Sequence, residues 1–388
     1  MFTDTAFWVL WLAGACAVRG LPEAAVTAKA LLLAATGLAG VALVLPLSAA
    51  HTAVLALAVG WTAMAAARTE APVEHPIRRA FVIAGPLLLL WVLAKHAGLA
   101  SAARVAPLAA AGLSYLIVKA WTLARDRADG RAPGCHAPAA LAYLLFLPTY
   151  LSGPMHYYGE FEAGLRRPAT LRAEDAVDIG FRFLAGLVKV QVLAPLLAPL
   201  SLLGMAGGEP VGPGVLAGGA LLYSLVLYLD FSGYSDLAIA AARAAGVGAP
   251  ENFLRPYLAP NIREFWRRWH VSFSRVLTAY VFVPVTRSLQ RRTSLAPAGV
   301  MIAGYLITFG LAGYWHGPTW RFVAWGLYHA CGLIVYDLVR QRRVAARLAR
   351  GVAAPAPAGR VATALSVAAT VLFVSAGWVL FVPGVRLW

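Results

Sequence analysis

The sequence predicts an all-α integral membrane protein, and three observations carry that prediction. Of the 388 residues, 60% are hydrophobic and only 13% are charged, whereas soluble domains carry about a quarter charged residues. The mean hydropathy is +0.70. Apolar runs of about 20 residues, long enough to cross a bilayer as a helix, recur along the whole chain.

We expect roughly ten or eleven transmembrane helices. The first apolar run, 6–18, follows acidic rather than basic residues, so we expect it to be a retained helix and not a cleaved signal peptide. The further runs are 28–48, 51–67, 80–98, 104–124, 178–202, 214–240, 296–315, 319–338 and 361–385.

The net charge of +16 does not indicate a nucleic-acid partner, because the arginines are dispersed in short loops between apolar runs. That distribution is typical of the positive-inside rule. We therefore expect the basic loops to face the cytosol; they lie at 125–131, 166–172, 287–292 and 340–350.

The segment 136–161 is too short and too interrupted to be an ordinary span. Pro148 and the pair Gly153-Pro154 break it, and basic loops flank it on both sides, so we expect a re-entrant segment. Irregular backbone at membrane depth must face protein or a water-filled cavity. The sequence therefore predicts a cavity.

A second irregular region is expected over residues 229–275, overlapping the end of the run at 214–240. It contains Asp230, Tyr234 and Asp236, and carboxylates near membrane depth are costly enough to be candidate functional residues. The alternative is that the carboxylates cap a broken helix.

Asn261, followed by Glu264, predicts a helix start. One helix drawn from there would place Phe265, Trp266, Trp269, Phe273 and Leu277 on one stripe and Arg263 elsewhere, so we expect an amphipathic helix at the membrane interface. His270 falls on the apolar stripe and is expected to point into the protein; the alternative is a core histidine bonded to the backbone.

His316 lies between Trp315 and Gly317, with Pro318 and Trp320 close behind. The Gly-Pro pair ends a helix there, and a buried helix end needs a partner for its polar groups. Histidine takes up a proton near neutral pH, so His316 is a candidate base. His156, Lys189 and His329 are weaker candidates.

Soluble-enzyme motifs are absent from the sequence: there is no G-x-S-x-G elbow, no H-E-x-x-H and no Walker A. The three cysteines have no metal-like spacing. We predict no metal site and no bound cofactor.

Four sequence blocks resemble the membrane-bound O-acyltransferases, within the bacterial branch for alginate and peptidoglycan O-acetylation and teichoic-acid D-alanyl transfer. They are "FLPTYLSGPMHYYGEF" at 146–161, "YLDFSGYSDLAIA" at 228–240, "ENFLRPYLAPNIREFWRRWHVSFS" at 251–274 and "GYWHGPTWRFVAWGLYH" at 313–329. The chain departs from that family at Thr278 and Ala279, where relatives often have Arg and Asp, and at Pro318.

The resemblance implies a fold, a site and a topology. It makes His316 the catalytic residue and His270 the second important histidine, in a ring of helices around a central tunnel. It also implies one membrane domain over 1–388, with N-terminal helices at 1–125, a catalytic core at 136–338 and a C-terminal helix at 361–385. We predict that substrate contacts come from Trp315, Trp320, Asp230, Tyr234, Asp236 and Arg263.

The predicted reaction moves an acyl group, with acetyl as the first candidate, from a cytosolic thioester donor. The donor is either acetyl-CoA or an acylated carrier protein. The acceptor is a hydroxyl of an extracytoplasmic polysaccharide or cell-wall glycan, or a secreted or membrane-anchored partner. D-alanyl transfer is an alternative, and a polytopic transporter or flippase is an alternative of another class. Membrane lipids of the bacterial cytoplasmic (inner) membrane are the other expected partners, and nucleic acid is not.

Overall fold

Helices dominate the computed structural model, which describes residues 5–44, 47–70, 72–97, 112–167, 171–208, 211–351, 359–382 and 384. No β-strand occurs among these residues. The helices of the N-terminal half are α1 Thr5–Arg19, α2 Val26–Val44, α3 Ala49–Ala67, α4 Pro76–Ala97, α5 Leu113–Ala128, α6 Ala137–Leu144, α7 Tyr158–Leu165, α8 Ala173–Leu187, α9 Ala194–Leu197 and α10 Leu202–Met205. Those of the C-terminal half are α11 Pro213–Ala244, α12 Ile262–Arg268, α13 Val271–Leu277, α14 Val283–Arg292, α15 Pro297–His316, α16 Trp320–Ala349 and α17 Arg360–Phe381.

Eight helical stretches among the described residues are long and apolar enough to cross a membrane, so the protein is a multi-pass membrane protein and the all-α membrane fold is confirmed. Two of the expected spans are shorter helices. α1 has 15 residues. α5 has 16 residues, and residues 101–111 of the expected span at 104–124 lie outside the described residues. The eight stretches are Val26–Leu43, Ala49–Ala67, Pro76–His96, Ala173–Leu200, Pro213–Ala244, Pro297–His316, Trp320–Ala349 and Arg360–Phe381.

The contacts divide the chain into two compact units. The first comprises Met1–Leu187 and Gly233–Glu251, and the second comprises Val188–Ser232 and Asn252–Trp388. The boundaries of a single membrane domain over 1–388 stay a prediction.

In the first unit, the expected broken segment is present and buried. The eight-residue α6 gives way to a short 3-10 turn, Leu147–Thr149, and to irregular backbone up to α7. Gly153 adopts a φ of 102°, which only glycine reaches without strain. The Tyr143 hydroxyl donates to the carbonyl of His156 at 2.9 Å. Protein groups thus satisfy irregular backbone inside the unit, as burial requires; the re-entrant path stays a prediction.

α11 runs unbroken through Asp230 and Asp236 to Ala244. The irregular backbone expected from residue 229 was therefore wrong as far as Ala244, and irregular backbone begins beyond that residue. Within the first unit, a Cβ on Gly186 would lie 2.8 Å from the carbonyl oxygen of Gly233. The absence of a side chain at Gly186 lets α8 approach α11 closely.

In the second unit, α15 and α16 form a tightly packed hairpin. A methyl group on Gly313 would collide with the carbonyl of Phe322, and one on Gly326 would collide with the carbonyl of Phe309. Two glycines facing the partner helix allow the backbones to approach closely. The hairpin therefore holds His316, the last residue of α15, in a fixed position.

Candidate active site

The region around His270 is a break between two short helices, so the single helix predicted through residues 261–277 was wrong at its middle. Asn261 caps the first helix as predicted, since its side chain accepts from the amide of Glu264 at 2.9 Å. α12 then ends at Arg268, and α13 begins at Val271. The break is built from non-local backbone bonds: Leu254 N–H donates to Arg268 O, and Val271 N–H donates to Asn252 O, both at 2.9 Å.

His270 sits at the break with a φ of 44°, in the left-handed region where non-glycine residues are uncommon. Its side chain is 3% exposed. The ring meets Phe231 edge-on at 4.7 Å and stacks on Phe273 at 5.0 Å between centroids. The left-handed backbone turns the ring into the protein. The predicted orientation of His270 is therefore confirmed, although the predicted continuous helix is not what produces it.

His316 ends α15, and Gly317 beyond it has an extended backbone, so the helix stop predicted from the Gly-Pro pair is confirmed. The imidazole is half-buried among aromatic rings. Trp325 and Phe381 meet it edge-on at 5.2 and 5.1 Å between ring centroids, and Trp315 lies at 4.8 Å.

The two histidines line one cavity of about 50 Å³. That volume is enough for a water or a small group. Apart from the histidines, its walls are hydrophobic side chains. The lining residues are Leu227, Phe231, Trp266, Trp269, His270, Phe273, Leu277, Phe309, Ala312, His316, Trp325, Trp378 and Phe381.

Burial lowers the pKa of His270 well below its usual value near 6.5, and the proximity of His316 lowers it further. Burial disfavours the charged ring, and a second histidine repels it. His270 is therefore a neutral imidazole at neutral pH, able to donate from one nitrogen and to accept at the other.

Of the residues predicted to bind substrate, Trp315 is the one brought to this region. It is 9% exposed and packs on Phe273 at 4.6 Å between centroids. Trp320 is 70% exposed and Asp230 is also exposed; neither lines the cavity. Their roles as substrate contacts stay predictions without support from this cavity.

Arg263, a predicted substrate contact, has a protein partner, and its role toward substrate stays a prediction. It forms a bidentate ion pair with Asp337 of α16, and the hydroxyl of Tyr305 on α15 also donates to Asp337, at 2.7 Å. Asp337 is 2% exposed. The network ties α12 to the α15–α16 hairpin, so Arg263 anchors the helix that leads into His270.

Tyr234 and Asp236 belong to the first unit, where structural partners account for both. Tyr234 packs against Gly153, 3.4 Å from the position of a Cβ there. Asp236 accepts from Arg182 at 3.0 Å, and Arg182 also pairs with Glu251. Neither residue lines the cavity of the two histidines.

Sequence reasoning missed three contributors to the site. Asn252 bonds to the ring of His270 at 3.1 Å, and its signal was present in the block at 251–274. Asp337 is a carboxylate inside a long apolar helix, which is itself a signal. Trp378 lines the cavity from α17, and its sequence neighbourhood is an ordinary apolar span.

No group of three His, Cys, Asp or Glu side chains in the described ranges is placed to hold a metal ion. The turn Thr278–Phe282, where the chain departs from the family pattern, is a π-helix between α13 and α14.

The class of protein follows from a comparison with family models. Residues 215–375 match the model of the MBOAT, membrane-bound O-acyltransferase family. The match confirms the resemblance for the three sequence blocks that lie within it, at 228–240, 251–274 and 313–329. Both His270 and His316 lie inside the matched region.

Individual relatives match part of the chain. The teichoic acid D-alanyltransferase of Streptococcus thermophilus is 31% identical over 234 residues, 58% of this chain and 56% of the relative. The probable alginate O-acetylase of Azotobacter vinelandii is 32% identical over 232 residues, 59% of this chain and 44% of the relative. The peptidoglycan O-acetyltransferase of Helicobacter pylori is 38% identical over 117 residues, 30% and 21% of the two chains. The chain thus spans about half the length of the first two relatives.

Proposed function

We propose that the protein is a membrane-bound O-acyltransferase. It moves an acyl group, with acetyl as the first candidate, from a cytosolic thioester to an acceptor. The acceptor is a hydroxyl of an extracytoplasmic polysaccharide or cell-wall glycan, or a partner that passes the group on. The observation that carries the proposal is the cavity shared by His270 and His316 within the MBOAT domain.

His316 is the general base of the proposed reaction. It takes the proton of the acceptor hydroxyl as the oxygen attacks the thioester carbonyl. The tetrahedral oxyanion then collapses, the carbon–sulfur bond breaks, and the imidazolium returns the proton to the departing thiolate. General base catalysis contributes about a hundred- to ten-thousand-fold. The hydrophobic walls add to this by excluding water, which would otherwise hydrolyse the thioester.

An acetyl group suits the cavity chemistry better than a D-alanyl group. None of the lining residues is a carboxylate, so the ammonium of a D-alanyl group would lack an ionic partner there. Aromatic faces can bind an ammonium through cation–π contacts, and two of the relatives are named teichoic acid D-alanyltransferases. D-alanyl transfer from a carrier protein is therefore the second candidate.

The donor is a thioester of a negatively charged carrier, and it approaches from the cytosol. The basic loops attract acidic partners, either the phosphates of coenzyme A or the surface of an acidic carrier protein. Relatives named teichoic acid D-alanyltransferases favour a carrier-protein partner for the second candidate. The proposed location is the bacterial cytoplasmic membrane.

The test is acyl transfer by the purified protein in proteoliposomes. Acetyl-CoA and D-alanyl carrier protein, each labelled in the acyl group, are supplied in turn with polysaccharide, glycan and teichoic-acid acceptors. We expect label from acetyl-CoA to reach a hydroxyl acceptor with wild-type protein and not with His316→Ala. Transfer from the carrier protein alone would replace acetyl by D-alanyl, and no transfer with any pair would contradict the proposal.

A further inference from the structure

The side-chain oxygen of Asn252 can be assigned without ambiguity. One terminal atom of Asn252 lies 3.3 Å from the backbone amide of Ser272, 2.8 Å from the Ser272 hydroxyl and 3.1 Å from Nδ1 of His270. Amide oxygen and nitrogen are assigned from their partners. A backbone N–H can only donate, so the atom it meets must be the oxygen, Oδ1.

This assignment fixes the tautomer of His270. Oδ1 accepts and cannot donate, so Nδ1 of His270 must carry the hydrogen of the bond that joins them. A neutral imidazole has one N–H, so the other nitrogen, Nε2, carries a lone pair. The partner of one ring nitrogen thereby sets the chemistry of the other.

Nε2 has no hydrogen-bond partner among the described residues, although it is buried. The ring it belongs to is 3% exposed and lines the cavity that His316 shares. A buried acceptor without a hydrogen bond is destabilising. A hydroxyl brought into the cavity would remove that cost.

We propose that Asn252 is a positioning residue that holds His270 in the Nδ1–H form, so that Nε2 accepts a hydrogen bond from a hydroxyl of the acyl acceptor. The inference rests on the proposed function and deepens it. His270 in this form has no hydrogen on Nε2, so it orients the acceptor and does not donate to the oxyanion. In the proposed reaction this is a second hydroxyl of a glycan or polyol acceptor, distinct from the one that His316 deprotonates.

His316 is the ionisable group whose charge affects the pKa of His270. The rings packed against His270, those of Phe231 and Phe273, do not titrate. Replacing Asn252 by a carboxylate would therefore place the one new charge beside Nδ1. A carboxylate still accepts from Nδ1–H and stabilises the protonated ring. Asn252→Asp keeps the tautomer and raises the pKa of His270.

The test compares Asn252→Leu, which removes the acceptor at similar volume, with Asn252→Asp, which keeps it. We expect Asn252→Leu to lower kcat for glycan transfer about 10- to 100-fold, the size of the loss when a metal-bound histidine loses the partner that fixes its tautomer. The KM for the thioester donor should stay unchanged. Asn252→Asp should retain more activity, with the acidic limb of its kcat/KM profile shifted to higher pH. Ser272→Ala is the matched control, because it removes another bond to Oδ1 and leaves the bond to His270.

Two readouts separate positioning from a purely structural role. Nitrogen-15 NMR of histidine-labelled protein, with His270→Asn to assign the signal, should show Nδ1–H in wild type and lose that preference in Asn252→Leu. Nε2–H in wild type would overturn the proposal even if transfer is observed, and the NMR result stands even if the proposed function fails. The second readout is thioester hydrolysis: a greater loss of hydrolysis than of glycan transfer in Asn252→Leu would show that Nε2 holds water, and would overturn the assignment to the acceptor.

Discussion

His270 and His329 are both buried histidines of the second unit, at 3% and 0% exposure, yet their surroundings differ. His270 has one nitrogen bonded to Asn252 and faces a cavity. His329 is surrounded by rings, with Trp325 at 5.0 Å and Trp266 at 5.1 Å between centroids. Neither nitrogen of His329 has a hydrogen-bond partner among the described residues.

The comparison shows that burial alone does not define a catalytic histidine. The imidazole of His270 is oriented by a hydrogen bond to Asn252 and borders a cavity. The imidazole of His329 instead packs among aromatic rings as a hydrophobic side chain would. Trp266 belongs to both regions, because it lines the cavity and contacts His329. Changes can therefore be chosen that affect one region, the other or both.

The largest expected effect is on both regions together. Arg263→Leu would leave Asp337 as a buried carboxylate without its ion-pair partner. Breaking a fully buried pair costs about 3–5 kcal/mol, and the cost here is smaller because the Arg263 side chain is 39% exposed. Because α12 carries Trp266, we expect the melting temperature in detergent and acyl transfer to fall together. The double variant Arg263→Met with Asp337→Leu should regain most of the stability, since no unpaired charge remains. If the single variant melts like wild type, the anchoring role of Arg263 is wrong.

A smaller effect on stability and activity distinguishes the cavity of His270 and His316 from the aromatic rings around His329. Ala312 lines the cavity, and Ala330, beside His329, is completely buried. Ala330→Val should destabilise the protein by about 1–3 kcal/mol, the usual cost of overpacking. Ala312→Val places its methyl groups in empty space, so it should keep the melting temperature and lower acyl transfer at least about tenfold by obstructing the hydroxyl.

The opposite pattern, with Ala312→Val unstable and Ala330→Val stable, would mean that the space lies at His329 and not between His270 and His316. Both substitutions add the same β-branched side chain to a long helix, so the helix propensity cost is matched.

The smallest expected effect is a dependence of stability on pH. The folded pKa of His270 is lowered, so between that value and about 6.5 the unfolded chain binds a proton that the folded chain does not. Stability contributed by neutral His270 should be complete above about pH 6.5 and should fall as the pH decreases, by at most about 1.4 kcal/mol per pH unit. His270→Asn tolerates the left-handed backbone and should lose less stability between about pH 7.5 and 5.5 than wild type, measured by melting temperature. An equal loss in both would contradict a lowered pKa of His270.

Much of the fold was predictable because local patterns encode it. Apolar run length predicts most of the spans, Asn261 followed by Glu264 predicts the start of α12, and Gly317-Pro318 predicts the helix end that places His316. Each of these signals lies within a few residues of the structure it determines.

The parts that failed depend on distant residues. The break at His270 is stabilised by backbone bonds from Asn252 and Leu254, which a helical pattern cannot reveal. Arg263 and Asp337 are 74 positions apart, so the sequence alone could not pair them. The expectation that Asp230 and Asp236 lie in irregular backbone failed because the serines and glycine between them are compatible with a packed helix.

The most direct test of the central claim, that the cavity of His270 and His316 is the active site, compares two histidine variants in one assay. His316→Ala and His329→Leu are reconstituted beside wild type, and transfer of labelled acyl groups is measured at equal amounts of folded protein. We predict that His316→Ala loses at least about 100-fold, since it removes the general base. His329→Leu, a substitution of similar volume, should stay near wild type. Wild-type turnover in folded His316→Ala, or an equal loss in both variants, would contradict the account.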